Sequence, residues 1–172
     1  YLSMAHDHIL FSYHGIPGRH IHRDDPKAVR NCLALNGTEC VTGNPGSKNC
    51  YRRQVITTTK MLMQRLNVPP DKYSISFQSR LGKGWLEPFT DIRLGEMPKE
   101  GIEKLLIICP AFVSDCLETL EEIAEGGRET FMHAGGESYK MIPCLNIHPL
   151  WVSTIAKWVK DYANGNQQMI LS

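Results

Sequence analysis

Two groups of side chains in this 172-residue chain have types and spacing suited to chemistry. The first is a row of carboxylates. Asp115, Glu118, Glu122 and Glu125 recur at i, i+3, i+7 and i+10, which places them on one side of a helix with Leu117, Leu120, Ile123 and Ala124 on the other. Acids near a helix N-terminus suit the macrodipole, and that alone accounts for Asp115 and Glu118. Four on one stripe, with no Lys or Arg to relieve them, cost about a few tenths of a kcal/mol per close pair. Such a row is what a site handling divalent cations and protons needs, because hard carboxylate oxygens can take up a hydrated metal, release it again and carry protons away. The second group is made of thiols. Cys32, Cys40 and Cys50 fall within Asn31 to Cys50, a stretch rich in Gly, Asn, Thr and Ser, at a C-x7-C-x9-C spacing that matches no zinc-finger template. A tolerated surface insertion would have the same composition. Exposed free thiols are a liability, however, and three in twenty residues read as a loop with a task of its own.

These residues need elements to position them. Four short β-type runs, Ile9 to Tyr13, Tyr73 to Phe77, Leu105 to Cys109 and Tyr139 to Ile142, alternate with helical patterns over Arg52 to Leu66, Asp115 to about Phe131 and His148 to Ala163. Strand and helix in alternation predict an α/β fold, a doubly wound parallel sheet of four strands flanked by helices. In an open parallel sheet ligands sit beyond the carboxyl ends of the strands. The residues delivered there are His14-Gly15-Ile16-Pro17, Gln78-Ser79-Arg80, Pro110-Ala111-Phe112 and Cys144-Leu145-Asn146. A histidine at such an end can act as a base or a metal ligand, and on sequence alone a histidine hydrogen-bonded in a turn explains it equally well.

Composition excludes several classes. Nineteen Lys+Arg against eighteen Asp+Glu give a formal charge of +1 with no dense basic run, which argues against a nucleic-acid backbone binder. No apolar stretch approaches the roughly 20 residues that span a bilayer, so any membrane contact is expected to be peripheral. Six cysteines without an export-type leader suggest reduced thiols and a cytoplasmic location, at most peripheral on the inner membrane. The chain opens on Tyr1 and goes almost at once into its first apolar run, and so reads as a piece of something longer.

Three separated motifs then carry a resemblance. FSYHGIP (Phe11 to Pro17), FQSRLGKGWLEPFTD (Phe77 to Asp91) and CPAFVSDCLETLEEIAEGGRETFMHAGG (Cys109 to Gly136) together resemble the carboxyl-terminal half of ferrochelatases, of the proteobacterial type in which a cysteine, here Cys116, stands where animal relatives have histidine. The resemblance implies a Rossmann-like, chelatase-like four-stranded parallel sheet, residues 1–172 forming one half of a two-half enzyme, with 31–50 as a cysteine-rich insertion. It implies insertion of Fe²⁺ into protoporphyrin IX, the last step of haem formation, in a cleft whose other wall comes from an amino-terminal half absent from this chain. By the same resemblance His14 and Glu118 are catalytic and meet the Fe²⁺ substrate. Asp115 and Glu122 line a proton or metal path, and Tyr13, Trp85 and Phe112 contact the porphyrin. Cys32, Cys40 and Cys50 resemble three ligands of an internal [2Fe-2S] cluster, with a fourth from the absent half or from Cys109, Cys116 or Cys144. The residues leave two other readings open: a non-catalytic cysteine-rich metal or redox-sensing module, and a chelatase for another tetrapyrrole.

Overall fold

A computed structural model describes residues 1–24 and 50–166. Four strands, β1 (His8–His14), β2 (Tyr73–Gln78), β3 (Lys104–Ile108) and β4 (Ser138–Ile142), form one sheet in the order β2-β1-β3-β4. Every pairing is parallel. The register sets His14 opposite Gln78 and Phe11 opposite Ile108, so the chain leaves β1, β2 and β3 at one edge of the sheet. The expected fold class is present, with each strand within a residue or two of its expected limits.

Side-chain alternation along β1 explains the two layers. Ile9, Phe11 and Tyr13 point to one face, where they pack with Val55 and Met63 of α2 (Tyr51–Arg65), the second helix after the short α1 (Gly18–Asp24). Leu10 points to the other face, where it joins Leu105, Ile107, Leu94 of α3 (Thr90–Glu96), Ile123 and Phe131. Fully buried side chains such as Phe11 and Phe131 each contribute about 1.5–3 kcal/mol of transfer free energy, so both clusters are needed to hold the sheet between its helices. α2 stops where Asn67 takes a left-handed φ of 54° and Pro69-Pro70 forbids a further turn.

Two helices differ from expectation. The segment expected as a single α-helix over 115–131 is a π-helix from Glu118 to Gly127 that tightens into α4 (Arg128–His133). Its i→i+5 winding buries Thr119, Ile123 and Gly127; of the apolar side drawn on an α-helical wheel Ile123 is buried as expected, whereas Leu120 and the preceding Leu117 stay largely exposed. Gly127 permits this path: a Cβ there would lie 2.7 Å from the Tyr139 hydroxyl and 3.0 Å from Leu94 Cδ1. The Tyr139 hydroxyl in turn donates to the Ile123 carbonyl at 2.7 Å, tying the wide helix to β4. The second difference is α5 (Pro149–Ala163), which buries none of its residues. Its apolar Leu150, Val152, Ile155, Trp158 and Val159, expected to face a core, are 38% to 74% exposed. Among the described residues, no helix is long and apolar enough to cross a membrane.

At the amino end of β1, His8 is buried with Nε2 2.8 Å from Ser74 Oγ. Burial foremost, then the charges of Arg93 and Lys72, push its pKa from 6.5 down to about 4, against the opposing pull of Glu100 and Asp71. As pH falls below 6.5 the unfolded chain gains a proton here that the folded chain refuses until about pH 4. Stability is therefore lost on acidification through that window, by up to about 3 kcal/mol from this one group. Replacing His8 by Gln should flatten the fall in Tm between pH 6.5 and pH 4 relative to the unchanged chain; parallel curves for the two would contradict the assignment.

Candidate active site

The site forms where β1, β2 and β3 release the chain. His14 closes β1 on the sheet face opposite Tyr13, half-buried, with its ring centroid 6.1 Å from that of Phe112. Its Nδ1 lies 2.6 Å from the Gly15 carbonyl oxygen. A carbonyl can only accept, so Nδ1 carries a proton and Nε2 is the ring nitrogen left to take a proton or a metal. The strand end is pinned by Tyr51, whose hydroxyl donates to the His14 carbonyl at 2.8 Å. Burial pushes the Tyr51 pKa up to about 12, which keeps it a donor. Gly15 is required by close approach, since a Cβ would lie 3.0 Å from the Gln78 carbonyl oxygen and 3.3 Å from Trp85 Cε3. Trp85 thereby packs against Gly15, the residue after His14, and its backbone bridges to Pro17.

The carboxylates arrive from the other side on the π-helix and the loop before it. Glu118, its first residue, is held below the ordinary carboxylate range by a hydrogen bond from the Cys116 thiol, then by its own backbone N–H and by the nearness of His14. Asp115 precedes the helix and does not lie on it. Burial raises its pKa, but hydrogen bonds from the Asn146 side chain at 2.6 Å and the Cys144 N–H at 3.1 Å outweigh that and leave it lowered. Glu122, one wide turn beyond Glu118, accepts from Ser79 at both oxygens, from the backbone N–H at 2.7 Å and from the hydroxyl at 2.6 Å. Asp115 and Glu122 thus have both oxygens committed to donors from other loops, whereas the donors to Glu118 come from its own turn.

Gln78 joins these parts. It is 2% exposed, and its Oε1 accepts from Ser12 Oγ at 2.7 Å and from the Cys109 thiol at 3.4 Å, while its Nε2 donates to the Glu118 carbonyl at 3.0 Å. One carboxamide therefore links β1, β2, the end of β3 and the start of the π-helix. Arg80, two residues on, pairs with Asp91 at 2.7 Å and lies over the Phe89 ring at 4.1 Å.

Of the residues singled out in the sequence, His14 lies near Phe112 and within electrostatic reach of Glu118, Trp85 packs against the neighbouring Gly15, Asp115 precedes the π-helix and Glu122 lies one wide turn into it. Tyr13 goes elsewhere: it is 4% exposed under α2, with its hydroxyl 2.8 Å from Thr59 Oγ1, on the sheet face away from His14. That follows from alternation, which sends neighbours in a strand to opposite faces. Glu125 is exposed and outside the set, because the wide winding carries it off the line of Glu118 and Glu122. Gln78 and Ser79, noted in the sequence only as a strand end, prove central. Cys32 and Cys40 lie outside the described residues, and Cys50 is 6% exposed within the core cluster at the N-terminus of α2. Among the described residues, no three His, Cys, Asp or Glu side chains converge in a metal-holding group.

This arrangement brings an imidazole and a carboxylate within electrostatic reach at the carboxyl end of a parallel sheet, with the Phe112 ring beside the histidine. A ferrochelatase family model matches residues 2–163. The ferrochelatase of Ectopseudomonas mendocina is 48% identical over 158 residues, covering 90% of this chain and 45% of its own length. That of Opitutus terrae is 47% identical over 169 residues, covering 98% and 48%, and that of Pseudomonas putida KT2440 is 47% identical over 159 residues, covering 91% and 46%. The chain spans about half the length of the curated relatives it matches. A solved structure from Marinobacter aquaeolei VT8, titled as a cobalamin (vitamin B12) biosynthesis CbiX protein, is similar at 12% identity and a TM-score of 0.47. On the family match and the identity to its relatives, the chain belongs to the ferrochelatase family.

Proposed function

We propose that this chain is the carboxyl-terminal half, residues 1–172, of an enzyme that inserts Fe²⁺ into protoporphyrin IX and releases two protons. The observation that carries the reading is that the end of β1 presents His14, its Nε2 left open by the Nδ1 bond, within electrostatic reach of the Glu118 carboxylate at the start of the acidic helix. A flat macrocycle hides its nitrogen lone pairs from an approaching ion, so a cleft that holds the ring bent favours the transition state over the substrate. Trp85, packed against Gly15, and Phe112, beside His14, would press on such a ring through apolar and stacking contacts. His14 Nε2 accepts a pyrrole proton or meets the ion in passing, and the Glu118 anion stabilises the resulting imidazolium or shares the ion. Asp115 and Glu122 continue the acidic line and form the path for protons or metal. The opposite wall of the cleft would come from an amino-terminal half, and the enzyme would work in the cytoplasm, at most peripherally on the inner membrane.

An internal [2Fe-2S] cluster on Cys32, Cys40 and Cys50 is a finer part of the proposal. Such a cluster wants four thiolates. Of the three, only Cys50 is among the described residues, where it precedes α2 at its N-terminus. Burial raises the thiol pKa of Cys109, and burial with the Asp115 hydrogen bond pushes that of Cys144 up to about 12, which weighs against either as the fourth ligand. No step of the reaction is assigned to the cluster.

In the full-length enzyme, replacing His14 by Ala or Glu118 by Gln should lower the rate of Fe²⁺ insertion by about 100-fold or more with the fold intact. Retention of more than about a tenth of the rate by either variant would overturn the assignment. For the cluster, anaerobically prepared full-length protein should hold iron with equimolar acid-labile sulfide, and Cys50→Ser should abolish both. Protein with iron-free, sulfide-free thiols would reduce 31–50 to an ordinary insertion.

A further inference from the structure

Glu122 is held in an unusual way. Its two oxygens accept from the two donors of one residue, the Ser79 N–H at 2.7 Å and the Ser79 hydroxyl at 2.6 Å. Both distances are in the short range of hydrogen bonds to an ionised acceptor, which are about twice as strong as neutral ones. Ser79 reaches this position with a φ of 60°, a left-handed conformation that a residue with a Cβ rarely takes. Glycine would adopt it without strain but has no hydroxyl, so the strained serine makes a bond that the backbone-favoured residue cannot.

The residue before it grips the same helix at a second point. Gln78, fully buried, donates from Nε2 to the carbonyl of Glu118, one wide turn before Glu122. A π-helix has poorer internal geometry than an α-helix, so contacts from outside decide where its side chains stand. The dipeptide at the end of β2 therefore fixes both the start of the π-helix and the carboxylate one turn on.

We propose that Ser79 is a positioning residue that acts through Glu122: it locks that carboxylate in one orientation behind Glu118 and thereby sets how fast protons or metal leave the His14–Glu118 pair, without taking part in porphyrin binding. This rests on the reading of the site as an Fe²⁺-inserting one. A residue needed only for folding would affect stability and would not depend on Glu122.

The test uses Ser79→Gly, which keeps the N–H, relieves the strained φ and removes the hydroxymethyl group that carries the second donor. In the full-length enzyme, assayed with Fe²⁺ and protoporphyrin IX, kcat should fall about tenfold or more while the KM for porphyrin stays within about twofold and Tm is unchanged or raised. Placed in a Glu122→Gln background, the same change should cost no further rate, because the group it acts through is already altered. A kcat within about twofold of the unchanged enzyme, or losses that multiply in the double variant, would overturn the proposal. A second readout separates this from failure of the functional reading. In the NMR spectrum of the 172-residue chain, the Ser79 amide proton should resonate downfield and move upfield in Glu122→Gln. Full-length protein that inserts no iron would sink the functional reading, and with it the kinetic role of Ser79, even if that amide shift is seen; an amide unmoved by Glu122→Gln would sink the clamp itself.

Discussion

The buried carboxamide of Gln78 is the interaction on which the site depends. A primary amide taken out of water must satisfy an acceptor and a donor, and each lost partner would cost about 1–3 kcal/mol. Here the acceptor is satisfied by Ser12, two residues before His14, and by the Cys109 thiol after β3, and the donor by the first carbonyl of the π-helix. Ser12 in turn shares Thr90 Oγ1 with Ser76, so a buried polar seam runs between the sheet and α3. Such networks are strong when every member is satisfied and specify one arrangement of the elements that contribute. The seam brings the histidine end of β1 and the acidic helix to the same place, although the sequence separates them by a hundred residues.

Around that seam the carboxylates differ in freedom, and the difference suits metal insertion. Asp115 is fixed by Asn146 and the Cys144 backbone, and Glu122 by Ser79. Glu118 takes its bonds from Cys116 and its own backbone, in the electrostatic reach of His14. A carboxylate within electrostatic reach of an imidazole, with two clamped carboxylates on the same segment, is an arrangement that can accept a proton or ion and pass it on. The Phe112 ring beside His14 adds apolar surface of the kind a flat macrocycle binds.

Much of this was legible in the residue order. Four apolar runs with polar ends mark the parallel sheet, and the strand ends and the acidic stripe mark His14, Phe112 and Glu118, whereas Trp85 enters only through the family resemblance. The losses have physical causes. Helical periodicity assumes one residue angle, and the π winding from Glu118 to Gly127 breaks that assumption, so Glu125 and the Leu117–Leu120 side were misplaced. The signal available was the pair Gly126-Gly127, where a close approach to Tyr139 and Leu94 forbids a Cβ. Tyr13 was drawn to the site by its neighbour, although strand alternation sends it to the α2 face. Ser79 could not be read at all, because a serine at a strand end says nothing of a left-handed φ or of a glutamate 43 positions on. The uncovered apolar side of α5 shows the converse, since periodicity identified the side without telling what would cover it.

The central claim is that His14 and Glu118 form the pair that meets the metal. It is tested most directly by locating a divalent ion in crystals of the full-length protein, with Co²⁺ as the anomalous scatterer in place of Fe²⁺. The account predicts an ion at about 2.0–2.2 Å from His14 Nε2, with a Glu118 oxygen as a second ligand and its other positions open. An ion found only away from both residues, in full-length protein that still inserts iron, would contradict it.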